Sequence, residues 1–174
     1  MKVQFDVNDA AGRDHFIAEL LGEALGRLAP DRKPEWGGFT APQMVEHLVQ
    51  AFEISTGRLK VACATPEDWR IKARRFLHDN RPMPHGFDSP LLRDGAPPLR
   101  FETIPHAIEA LRNEARRFLD LSASDPDSSH MHPVFGECNA SEWSRVHFKH
   151  GVHHLLQFGL IEVEEVVEPV SDPA

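Results

Sequence analysis

The chain has 174 residues, of which 41% are hydrophobic and 26% charged, and a formal net charge of −8. This is the composition of one globular domain, here taken as residues 1–174, with enough length to bury a core. The acidic balance argues against nucleic acid or an anionic membrane surface as partner. No apolar run approaches the roughly 18 residues of a membrane span. The opening "MKVQFDVNDAAGRDHF" has no apolar signal core. The cytoplasm is therefore the expected compartment, with Cys63 and Cys138 as two separate thiols.

Four segments have helical periodicity. The first spans about Asp9 to Leu28, where Phe16, Ile17, Leu20, Leu21, Ala24, Leu25 and Leu28 recur every three or four residues before Pro30. The second opens at "TAPQ": Thr40 can cap it, Gln43 completes a capping box, and Pro42 fits the first turn. Met44, Leu48, Ala51 and Ser55 line its inner face, and Gly57 lies near its end. Trp36, just ahead of it, is placed as a hydrophobic staple.

A long insert follows. "TPEDWRIKARRFLHDN" reads as a short extra helix capped by Thr65. Residues 81–100 carry five prolines and two glycines. They predict an irregular ordered loop, docked through Phe87, Leu91 and Leu92 over the end of the fold that holds the site. The third long helix starts after Thr103, with Ile104, Ile108, Leu111, Ala115 and Phe118 as its stripe. The fourth starts at "NASEW", where Asn139 and Glu142 have capping-box spacing, and stops at Gly159. The tail after Ile161 alternates weakly and reads as a short strand or a frayed end. The expected fold class is all-α, an antiparallel four-helix bundle with a Pro-rich insert between its second and third helices.

The fourth helix carries "HFKHGVHHLLQFG", with four histidines in eight positions. A residue advances by about 100° on a helix. His150 and His154 therefore share a face one turn apart, and His147 lies on the same side. Trp143 and Gln157 extend that face, with Trp143 placed as packing, while His153 points off it. Two imidazoles at this spacing can chelate one metal ion, such as zinc, nickel or iron. The third ligand has to come from another helix. His47, on the apolar face of the second helix, is the candidate. Alone, His47 would be a hydrogen-bonded packing residue and the pair a surface feature. Together, one core-facing histidine and one core-facing pair point to a metal.

Other architectures fail. No Glu has a His three residues later, as ferritin-like di-iron bundles need, and no HExxH or GxSxG is present. His132, in "MHPVFG", is placed to reach the pocket from the preceding loop or to hold its own turn. His78 and His85 flank an entrance. Glu46 is expected at the surface, as are Arg74, Arg75, Arg116 and Arg117.

"WGGFTAPQMVEHL" and "HPVFGECNASEWSRVHFKHGVHHLLQFG" resemble the DinB/YfiT-like superfamily, in particular a bacterial branch of unknown function whose ending reads HPxFG…EW…HxxHHxxQFG. The resemblance covers the four long helices. It implies an up-down-down-up bundle, frequent dimerisation, and a mononuclear zinc or nickel held by three histidines. The superfamily's H-x-x-x-H-x-x-Q falls on His150, His154 and Gln157, and its second-helix ligand on His47. His147 is left as a fourth ligand, a group behind the ligands or a proton relay. Relatives transfer small thiols or act as metal-dependent hydrolases or isomerases. A metal-dependent thiol transferase or hydrolase acting on a small molecule is therefore the leading expectation. The alternatives are a non-catalytic metal-binding or stress-associated bundle, and an interaction protein whose histidines are core polar groups.

Overall fold

A computed structural model describes residues 1–86, 89–92 and 95–165. The chain starts with strand β1 (Lys2–Phe5), where Val3 and Phe5 turn inward and Lys2 and Gln4 outward. Helix α1 is continuous but changes pitch. It runs Ala10–His15, passes through a π turn at Phe16–Leu20, and finishes Leu21–Leu25. The Asp9 carboxylate caps its first turn through the Gly12 N–H.

Helix α2 (Ala41–Ser55) begins with the capping box of Thr40 and Gln43. Helix α3 (Glu67–Arg75) continues into a 3-10 turn, Phe76–His78. Its cap position is Pro66 rather than Thr65, and among the described residues no side chain caps it. The Thr65 carbonyl instead accepts from Arg70 Nε at 2.9 Å. Pro90–Leu92 forms a second 3-10 turn within the loop. Helix α4 (Ile104–Ser124) is capped by Thr103. A hairpin follows, β2 (Ser129–His132) with β3 (Gly136–Asn139). Helix α5 (Ala140–Gln157) starts from the capping box of Asn139 and Glu142. Strand β4 (Glu162–Glu165) ends the described chain and pairs with β1 in parallel, Val3 opposite Val163.

The all-α four-helix bundle expected from sequence is overturned. Among the described residues there are five helices and two two-stranded sheets, so the fold is mixed α and β. Two things produce the difference. The alternation of Val3, Phe5 and Val7, all buried, gives the N-terminal segment a strand's two-sidedness, and β4 supplies its partner from the far end of the chain. "SHMH" and "GECN" pair across a three-residue turn closed by Gly136 at φ +78°, a conformation that costs glycine little.

Helix α2 packs along α4 and against α5, and α1 touches α4 and α5. Phe16, Phe52, Phe118, Trp143, Phe148 and Leu155 are buried between them. Gly151 lets α5 approach α1: a Cβ there would stand 2.8 Å from Phe16 Cε1. Arg74 is not simply solvated, since it donates to both oxygens of Glu142 at 2.7 and 2.5 Å and joins α3 to the start of α5. Among the described residues no helix is long and apolar enough to cross a membrane. Cys63 and Cys138 are free thiols.

Candidate metal centre

Helix α2 brings His47 opposite His150 and His154 on α5. One ring nitrogen from each of the three lies within 4.8 Å of the others. His150 Nε2 is 2.9 Å from His47 Nε2 and 3.0 Å from His154 Nε2. The rings stand nearly edge to face, with His47 at 89° to His150 and 83° to His154, so their Nε2 atoms meet while their faces pack elsewhere.

Burial keeps all three neutral. It pushes His47 down to about 4, with the neighbouring His153 adding to the effect. Burial first, and imidazole neighbours second, hold His150 and His154 well below the ordinary histidine range. Neutral rings have a lone pair to offer a metal ion.

Gln157 decides which nitrogen of His154 carries that lone pair. Its Nε2 donates to the Trp36 carbonyl at 2.8 Å, so its Oε1 faces His154 Nδ1, also at 2.8 Å. A carbonyl oxygen only accepts, so His154 Nδ1 bears the hydrogen and Nε2 points its lone pair into the cluster. This is the support that metal-ligating histidines commonly have behind them. His47 has a different one. Its Nδ1 is buried without a hydrogen-bond partner among the described residues, and the ring is held by packing, 5.1 Å from Phe39. The donor set fits a divalent ion of the zinc or nickel type: three neutral imidazoles, converging nitrogens and one ring locked in the ligating tautomer.

The remaining histidines lie outside the cluster. His147 stacks on Phe52 at 3.7 Å and 8°. The Ser55 hydroxyl donates to the Phe52 carbonyl at 3.0 Å, so its oxygen accepts from His147 Nε2 at 2.8 Å. That nitrogen is therefore occupied away from the three. His132 holds its own turn, its Nδ1 accepting from the N–H groups of Val134 and Phe135 at 3.0 and 3.1 Å. Burial pushes it down to about 3. His153 is off the ligand face but not at the open surface. It lies half-buried against Trp36 and His85, with centroids 5.9 and 6.2 Å away. His85 stacks on Trp36 at 3.8 Å, whereas His78 ends the 3-10 turn after α3.

Three residues matter here: Trp36 and Glu46, expected elsewhere, and Lys149, which the sequence did not single out. Trp36 gives its carbonyl to Gln157 as well as its ring to His85. Glu46 is buried, not at the surface. Its carboxylate accepts from the backbone N–H groups of Arg100 and Phe101 at 2.8–3.0 Å, tying the end of the insert to α2 beside His47. Lys149, 1% exposed at its side chain, donates to the carbonyls of Asp79 and Arg81 at 2.7 Å each. It ties down the start of the same insert, with its ammonium 3.6 Å from the centre of the Phe76 ring. Burial pushes it down to about 8. Nothing local marks such a lysine. For Glu46, a clue is its place in the helical run between buried Met44 and Val45 and buried Leu48.

The insert returns over a cavity of about 550 Å³ whose wall includes His47, His150 and His154. Pro82, Met83, Pro84, Leu91 and Leu92 form part of that wall. Phe87, the other expected anchor, lies outside the described residues. Trp143 lines the same cavity and donates from Nε1 to the His130 carbonyl at 3.0 Å.

No protein-family model matches the chain, and no curated protein matches it.

Proposed function

We propose that His47, His150 and His154 hold one divalent ion per chain, zinc or nickel. In this reading the chain is a metal-dependent enzyme of the thiol-transferase or hydrolase kind, related to the DinB/YfiT-like superfamily. The observation that carries the reading is the convergence of three neutral imidazole nitrogens within 4.8 Å on a cavity wall. The motif resemblance of the ending supports the same ligand set.

A divalent ion held there supplies Lewis acidity, which polarises a carbonyl or acidifies a thiol or water. The chain's own part is positional. Gln157 keeps the lone pair of His154 aimed inward. Phe39 packs beside two of the rings, 5.1 Å from His47 and 5.7 Å from His154. Among the described residues no carboxylate lines the cavity; its ionisable groups are the imidazoles, Arg81 and Lys149.

Equilibrium dialysis followed by elemental analysis tests the assignment. The wild-type chain should bind one ion, His154→Ala should lose most of it, and His153→Ala should keep it. Equal metal content in wild type and His154→Ala would refute the ligand set. Panels of thiol conjugation and of ester and amide hydrolysis, run with the loaded protein, then test the enzymatic part.

A further inference from the structure

We propose that the cavity beside the three imidazoles binds a neutral, largely apolar organic molecule with one acceptor oxygen, and that His132 Nε2–H donates to that oxygen. The inference rests on the reading above for its reaction centre, because the same wall carries His47, His150 and His154.

A volume of about 550 Å³ is that of a small-molecule site. Ile54, Phe76, Leu91, Leu92, Val134 and Phe135 make most of its wall apolar. Among the described residues, the charged side chains in the wall are Arg81 and Lys149, and both are engaged. Arg81 pairs with Asp79 at 2.6 Å, and the Lys149 ammonium is taken up by two carbonyls at 2.7 Å. In the metal-free chain an anionic ligand would lose its hydration to face cations that are already hydrogen-bonded elsewhere.

The acceptor oxygen follows from His132. Two backbone N–H groups donate to its Nδ1, so Nδ1 is an acceptor and the hydrogen of the neutral ring sits on Nε2. Burial keeps the ring neutral. Nε2 has no hydrogen-bond partner among the described residues, and it is not one of the polar atoms cut off from solvent. His132 lines the cavity, so this N–H opens onto it. With the Gln50 amide and the Ser89 hydroxyl also in the wall, this N–H is one of a few polar groups that fix the orientation of a ligand that fills the rest by shape.

The test uses the full chain, both as purified and after chelation, with a neutral naphthylamine fluorophore displaced by 2-alkanones from 2-pentanone to 2-nonanone. Affinity should rise about fourfold per added CH₂, the equivalent of ~0.8 kcal/mol, in both preparations. Octanoate should displace the fluorophore from the chelated chain at least tenfold more weakly than 2-octanone. His132→Asn separates the two roles of the residue. An Asn oxygen can accept the same two backbone N–H groups and keep the turn, but it removes Nε2–H from the wall. This variant should melt near the wild type, bind 2-nonanone about fivefold more weakly, and bind 1-nonene within twofold of wild type.

Affinity independent of chain length, or octanoate binding as tightly as the ketone, would overturn the proposed ligand class. Unchanged ketone affinity in His132→Asn, or equal weakening of ketone and alkene, would overturn the role of His132. Absence of metal from the wild-type chain would defeat the metal reading while leaving the chelated series intact, so the two failures are distinguishable.

Discussion

Gln157 accepts the Nδ1–H of His154 at 2.8 Å, and that bond turns the lone pair of His154 toward His47 and His150. The amide is itself held by the Trp36 carbonyl, so a loop ahead of α2 sets the tautomer of a residue on α5. Replacing Gln157 by Leu removes the acceptor while keeping an apolar side chain of similar length. Metal affinity should fall about 10- to 100-fold, as for other partners behind a ligand, with helix content unchanged. Competition against a chelator of known affinity measures it. Wild-type affinity in this variant would show that packing alone sets the ring.

The metal-free chain should lose stability in mildly acidic solution. Folding holds His47 at about 4 and His132 at about 3, whereas the unfolded chain takes up these protons below about 6.5. The folded values are depressed, so the contribution is complete above about pH 6.5 and is lost as pH falls toward 4 and then 3. By pH 5 these two residues together remove about 4 kcal/mol. The downward shifts of His147, His150 and His154 act in the same direction. Denaturant unfolding in the presence of a chelator should show the midpoint moving steadily down between pH 7 and 5. A flat midpoint over that range would contradict the burial of neutral imidazoles.

Gly151→Ala should destabilise the fold by about 1–3 kcal/mol. The added methyl meets Phe16 Cε1 at 2.8 Å, Phe16 Cζ at 3.1 Å and Leu21 Cδ1 at 3.3 Å, and both of these side chains are buried. Alanine would otherwise favour the helix by about 1 kcal/mol relative to glycine, so a stabilised variant would mean that α1 and α5 do not approach this closely.

Glu46→Gln tests the tether of the insert. The carboxylate accepts the Arg100 N–H on both oxygens and the Phe101 N–H on Oε1, and an amide would set its NH₂ against the Arg100 N–H and give up the ion pair with the Arg100 guanidinium. The expected loss is about 1–3 kcal/mol, with faster proteolysis between residues 79 and 100. Cleavage at the wild-type rate would mean that Lys149, at the other end, suffices to hold the insert.

What the sequence determined by itself was local. The capping boxes of Thr40 with Gln43 and of Asn139 with Glu142 place the starts of α2 and α5, because a cap is made within four residues. The shared face of His150 and His154 follows from helical pitch alone, and the inward turn of His47 from its apolar neighbours. The alternation of Val3, Phe5 and Val7 went unread as a strand, because a lone strand has no meaning until a partner exists. That partner, β4, lies about 160 residues away, beyond any periodicity. Only the tertiary structure decided that the two histidine-bearing helices face each other closely enough for three Nε2 atoms to meet. It also decided that His147 is spent on Ser55 and that Glu46 and Lys149 are buried to hold an insert. These outcomes depend on which side chains find hydrogen-bond partners across elements, and a charged or imidazole group goes inside only when such partners are waiting. The pairing is a property of the packed chain, whereas caps and helical faces are properties of neighbouring residues.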